Sequence, residues 1–204
     1  MNNVENFFKN KSSDQDFIRK YFGYVSEVIG KINVADVAKV VDAIKKARAG
    51  DKVVYFIGNG GSAATASHFA NDLAIGTRSA GKPFRVMSLT DNVAVLTAIA
   101  NDFGYDEIFV KQLQTYMKSG DVVIAISASG NSPNVVKAMD WAKNHGATTV
   151  GLTGFDGGKL KEMVDINLHV PSVKGEYGPV EDLHMIFDHV IGAYFMYACQ
   201  DKNF

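Results

Sequence analysis

The sequence predicts an α/β protein, a three-layer α/β/α sandwich around a five-stranded, mostly parallel sheet with helices ahead of it. Five short apolar runs rich in β-branched residues lie at 52–58, 84–89, 121–127, 148–153 and 165–170. Helix-like patterns separate most of them, and polar residues scarcely alternate within them, as in strands covered on both faces. Glycine- or serine-rich corners follow two of the runs, where an open parallel sheet gathers its ligands.

The elements follow in order. From Asp16 to Arg48 apolar residues recur at helical spacing, with Ile18, Phe22, Val25 and Ile29, then Val37, Val40, Val41 and Ile44. That spacing predicts two helices, or one broken near Gly30 to Asn33. Residues 1–50 therefore read as a helical extension and 51–204 as a single sheet-bearing unit. "KVVYFIG" is the first strand and breaks at Gly58 into the helix-friendly "SAATASHFANDL". "FRVMSL" and "DVVIAIS" are the second and third, the latter running into "ASGNSPNVVKAM". After "TTVGLT", Gly157 and Gly158 predict a turn before a short helix. "DINLHV" closes the sheet, "PSVKGEYGPV" reads as loop, and a last helix over 180–199 carries Leu183, Ile186, Phe187, Val190, Ile191 and Phe195. Pro179 suits its first turn.

Composition narrows the function. The 204 residues, 47% hydrophobic and 21% charged, fit one globular domain. The 21 basic and 22 acidic residues leave a formal charge of −1, which argues against a nucleic-acid surface and for a small-molecule partner. Cys199 is the single cysteine and has no internal disulfide partner. The start "MNNVENFFKNKSSDQDF" lacks the basic head and apolar core of a signal peptide, and no run reaches the ~18 apolar residues of a membrane span. The expected compartment is the cytoplasm, with no membrane role.

Two corners carry anion-binding chemistry, because backbone N–H groups and the positive end of a helix face the crevice there. The first, "IGNGGSAA", matches the dinucleotide pattern only in part, with Ala63 at the third glycine position and no acidic residue ending the next strand near Leu89. The second, "ISASGNSPNVVKAM", offers three hydroxyls and a glycine without the lysine of a P-loop, which suits a phosphate monoester. Ser132 also fits a helix N-cap with Pro133 at the first helical position, and one serine can serve both purposes.

The segments "GNGGSAATASHFANDL", "AIANDFGYDEIF", "ISASGNSPNVVKA" and "GLTGFDGGKL", in this order, resemble the sugar isomerase (SIS) domain proteins. Within that family they are most similar to the phosphoheptose isomerases, which convert sedoheptulose 7-phosphate to D-glycero-D-manno-heptose 7-phosphate. The resemblance spans roughly residues 15–199. It implies a homotetramer with active sites at subunit interfaces, and a sugar phosphate held by Asn59, Gly60, Gly61, Ser62, Asn101, Asp102, Ser127, Ala128, Ser129, Ser132 and Glu181. It implies one zinc ion per site on His68, Asp72, Glu181 and His189, and Asp72 with His189 as the acid–base pair of an enediol reaction.

His68 and Asp72, four residues apart, sit about 40° around a helix and ~6 Å along it, so both reach one ion or one substrate. Glu181 and His189 lie ~12 Å apart along one helix axis, a long span for one metal. Glu181-x-x-His184 is a familiar ligand spacing, and spacing alone leaves His184 and His189 open; the resemblance implies His189. His145 and His169 read as structural. Asp182 and Asp188 most simply cap or solvate the helix, with Asp188 alternatively orienting a histidine.

The chain departs from the phosphoheptose isomerase pattern in three places. Asp72 stands for a glutamate, Glu181 for a glutamine, and "VKGEYGPVED" for the usual loop before the last helix. A related sugar phosphate is the expectation where these changes alter the pocket. The alternative is a non-catalytic SIS protein that assists a partner such as a replication initiator, or a phosphosugar sensor. Retention of His68, Asp72, Glu181 and His189 favours chemistry.

Overall fold

A computed structural model describes residues 1–79 and 81–201. Its sheet has five strands, β1 (Val53–Gly58), β2 (Arg85–Ser88), β3 (Val122–Ser127), β4 (Thr148–Thr153) and β5 (Ile166–His169), in the order β2-β1-β3-β4-β5. Every neighbouring pair is parallel, so the expected mostly parallel sheet is wholly parallel. The chain steps to opposite sides of β1 when it makes β2 and then β3. The crevice between the carboxyl ends of β1 and β3 is thus a topological switch point.

The helices are α1 (Asn3–Lys9), α2 (Asp14–Ile29), α3 (Val34–Ala49), α4 (Gly61–Asn71), α5 (Val93–Phe103), α6 (Val110–Tyr116), α7 (Pro133–Asn144), α8 (Gly158–Met163) and α9 (Tyr177–Ala198). The break near Gly30 separates α2 from α3, where the Asn33 side chain caps the new helix by accepting from Ala35 N–H. The 148–153 strand falls where the sequence put it, whereas the long last helix begins at Tyr177, inside the segment read as loop, with Pro179 in its first turn. The unforeseen element is α1, none of whose residues is buried.

Strand side chains divide by alternation between two cores. Val54, Phe56, Ile124, Ile126, Val150 and Leu152 face a cluster with Val40 and Ile44 of α3, Phe69 of α4 and Phe187 and Ile191 of α9. Tyr55, Ile57, Val123 and Ala125 face the other cluster, with Leu113 of α6, Met139 of α7 and Leu160 of α8. Helices from the first fifty residues thus share a core with the sheet. Among the described residues no helix is long and apolar enough to cross a membrane.

Candidate active site

The crevice at the switch point is lined by Asn59, Ser62, Ser127, Ala128, Ser129, Ser132, Tyr177 and Glu181, around a cavity of about 150 Å³. The first wall is the β1–α4 corner. Gly60 takes φ +55°, a left-handed value natural to glycine, and α4 begins at the next residue with no side-chain cap. Its first N–H groups are therefore available to an anion. The side chain that approaches is Glu181. A Cβ on Gly61 would meet its carboxylate, so the Glu181 side chain lies directly over the first residue of α4. Burial, with neighbouring Asp182 adding to it, pushes the Glu181 carboxyl up.

The second wall is the β3–α7 turn. Ser127 Oγ accepts from Gly130 N–H and Ser129 Oγ from Asn131 N–H, which fixes the turn. Ser132 occupies the N-cap position of α7 with Pro133 after it, yet its hydroxyl makes no cap hydrogen bond. The expected double duty is therefore not exercised, and that hydroxyl is left to the crevice. Asn59 is more constrained. Its amide exchanges two 2.9 Å hydrogen bonds with Asn134, and its oxygen accepts a third from the Tyr105 hydroxyl. It ties the two walls together.

The turn at Gly157 and Gly158 has a part in this crevice that its sequence did not announce. At Gly130, φ is +61° and a Cβ would strike the Gly157 carbonyl oxygen. Leu160 N–H donates to Gly130 O (3.0 Å) and Lys159 N–H to Asn131 Oδ1 (3.1 Å), so the third corner braces the second.

Two turns further along α4 and α9 lies a second constellation. One ligand atom from each of His68, Asp72, Asp188 and His189 lies within 4.8 Å of the other three. The His68 and His189 rings meet edge to face, 5.2 Å apart. His68 Nδ1 lies 2.7 Å from Asp188 Oδ2 and 3.8 Å from Asp72 Oδ2. The Asp188 bond holds the His68 imidazole above the ordinary histidine range, against its partial burial. Burial pushes Asp188 up to about 6, with His68 opposing. Asp72 opens a π-helical turn, Asp72–Gly76, in which the helix widens by one residue per turn. Its side chain packs on Gly192 of α9.

The residues expected together are thus divided. His68, Asp72 and His189 converge, whereas Glu181 lies with the phosphate-type crevice and Asp188 stands where the fourth group was expected. The reason is axial: Glu181 and His189 are about two helical turns apart, and within one chain the helix is straight enough to keep them so. Asp188, expected to cap or solvate, is fully buried. Asn101 and Asp102 lie exposed at the end of α5, hydrogen-bonded to each other, and do not line the crevice. His184 is also buried, its Nε2 3.3 Å from Thr153 O, and burial drives it down to about 4. His169 bonds Thr153, His145 stacks on Trp141, and Asp182 accepts from Tyr21.

A glycine-and-serine crevice at the β1/β3 switch point, followed by a histidine–carboxylate cluster, on this sheet order defines a phosphosugar-binding α/β protein. The sequence profile of the SIS domain matches residues 20–154, and the chain belongs to the SIS domain family. The phosphoheptose isomerase of Aliarcobacter butzleri is 42% identical over 149 residues, covering 73% of this chain and 77% of that one. That of Rhodospirillum rubrum is 42% identical over 158 residues, covering 78% and 81%. Solved phosphoheptose isomerases superpose closely. The Neisseria gonorrhoeae enzyme gives a TM-score of 0.80 at 29% identity over 90% of this chain and 98% of its own. The Francisella tularensis enzyme gives 0.84 at 26% over 91% and 99%.

Proposed function

We propose that the protein is a phosphosugar aldose–ketose isomerase, acting on sedoheptulose 7-phosphate or a sugar phosphate of similar length. The observation that carries this reading is the paired spacing on α4 and α9. Gly61 meets Glu181, His68 meets Asp188, and each pair is seven residues from the other on its own helix. The two helices run side by side, with an anion crevice at one end and an acid–base cluster ~10 Å further along. That separation is of the order of an extended sugar phosphate, with its phosphate in the crevice and its carbonyl end at the cluster.

The phosphate is received by the free N–H groups of α4 and the hydroxyls of Ser127, Ser129 and Ser132. No lysine is needed, because hydrogen bonds to an anion are charge-assisted. At the other end, isomerisation moves a proton between adjacent carbons and shifts a proton between their oxygens. Asp72 and His189 are the groups for this: one takes the carbon-bound proton and returns it to the neighbouring carbon, the other serves the oxygens. Alternatively the cluster would hold zinc, with His68, Asp72 and His189 as its ligands rather than as proton carriers. When bound it supplies polarisation of the carbonyl oxygen.

The reading includes assembly into a tetramer. α5 is apolar, yet none of its residues is buried, and Asn101 and Asp102 at its end stand apart from their own crevice. A neighbouring copy packed on α5 would receive them.

The test is incubation of purified protein with a panel of ketose and aldose phosphates, followed by NMR of the products with metal analysis alongside. Conversion of at least one sugar phosphate, lost in His189→Ala, is expected. Binding without turnover would instead favour the assisting or sensing role.

A further inference from the structure

For Asp188 the sequence left two tasks open, capping or solvating the helix and orienting a histidine, and its placement favours the second. Its carboxylate has 0% exposure, while the His68 side chain is 43% exposed. The carboxylate is thus enclosed in the seam where α4 and α9 pack, while the imidazole it holds is open to solvent. Oδ2 is 2.7 Å from Nδ1 of His68, and Oδ1 is buried with no hydrogen-bond partner. A buried carboxylate with one oxygen unpartnered costs stability. The seam keeps it for what it does to the ring.

We propose that Asp188 is a positioning residue: it fixes His68 with the proton on Nδ1, so that Nε2 is the atom presented to a metal ion or substrate. An imidazole with one nitrogen bonded to a carboxylate has its tautomer and its rotation set together, and its other nitrogen becomes a better electron donor. Within the four-residue cluster Asp188 is then not a ligand. Three groups, His68, Asp72 and His189, remain, and three protein ligands with an open fourth place is the arrangement that catalytic zinc uses. The assignment rests on the isomerase reading for its purpose, but not for its measurement.

The test begins with metal-free wild-type protein labelled with ¹⁵N-histidine, at about pH 9, above the ordinary histidine range. The ring ¹⁵N shifts of His68, assigned by their loss in His68→Gln, are expected to show the proton on Nδ1. In Asp188→Leu, which keeps the seam filled, that preference is lost and zinc binding, followed by titration, weakens about 10–100-fold. Asp188→Asn retains an acceptor oxygen and falls between. A wild-type His68 carrying its proton on Nε2 overturns the assignment, as does an unchanged His68 tautomer in Asp188→Leu. Because the tautomer is read without metal or substrate, failure to turn over any sugar phosphate would remove the isomerase reading and leave this assignment decided separately.

Discussion

The crevice and the cluster sit at two ends of the same helix pair and are built on opposite terms. The crevice is made largely of backbone N–H groups and neutral hydroxyls supplied within a few residues of a strand end, with the Glu181 carboxyl entering from α9. The cluster is made of titratable groups brought together across the fold, with His68 bonded to a residue 120 positions away. Holding a fixed charge needs preorganised dipoles that do not titrate. Moving a proton needs groups whose protonation changes, placed where burial and mutual contact alter their affinity for it.

The sharpest way to break this division is at the cluster. Replacing His189 by alanine should lower turnover by ~10²–10⁴-fold, the usual worth of a positioned acid–base group. The Michaelis constant should stay nearly constant, since the phosphate end is untouched. Steady-state kinetics decide it, and a variant that mainly weakens binding would merge the two regions into one. At the crevice the effect is smaller and of the other kind. Ser132→Ala should weaken inorganic phosphate and sugar-phosphate binding ~10-fold, as expected for one hydrogen bond to a charged group. Zinc affinity should not change.

The smallest effect lies in stability and sharpens the comparison by showing a histidine outside both regions. Burial lowers His184 from 6.5 to about 4, so the unfolded chain binds its proton more readily than the folded one. Stability is full above about pH 6.5 and declines as pH falls toward 4, by roughly 3 kcal/mol from this group. The lowered His169 acts in the same direction. Asp188, raised to about 6, gains stability over the same range and opposes this loss. The His184 contribution is therefore read as a difference: in urea unfolding, His184→Gln should gain stability relative to wild type as pH falls from about 6.5 toward 4.

Legibility in the sequence followed the same line between local and distant. β3 and β4 were plain because a central parallel strand is apolar on both faces, and "VVIAIS" or "TTVGLT" leaves little else to read. The crevice was legible at Asn59 to Ser62 and Ser127 to Ser132 because a glycine corner and a serine turn carry their geometry within a few residues. Asp188 was half legible: capping or solvating the helix and orienting a histidine both stood open, because the choice depends on which face of α9 meets α4. A polar residue beside Ile186 and Phe187 gives no sign of that. Glu181 was assigned to both the sugar phosphate and the metal on family resemblance, and its side chain lies over Gly61 in the crevice. Helix α1 escaped because seven residues with no buried side chain make no periodic signal.

Glu176, at the entrance to α9, is a buried carboxylate that accepts from Asn3 N–H (2.7 Å), Val173 N–H (3.0 Å) and the Tyr24 hydroxyl (2.5 Å). The residue after it, Tyr177, lines the crevice. The Asn3 bond joins positions 173 apart in the chain, so its loop-closure cost is met only when the rest of the fold already holds those ends near each other. Phe7 of α1 packs partly buried against the same core and meets Tyr24 edge to face, so α1 and α2 close on this corner around Glu176. Amide exchange at Asn3 is therefore expected to outpace that of the central strands, and the entrance to the site is held by contacts that only the finished fold can make.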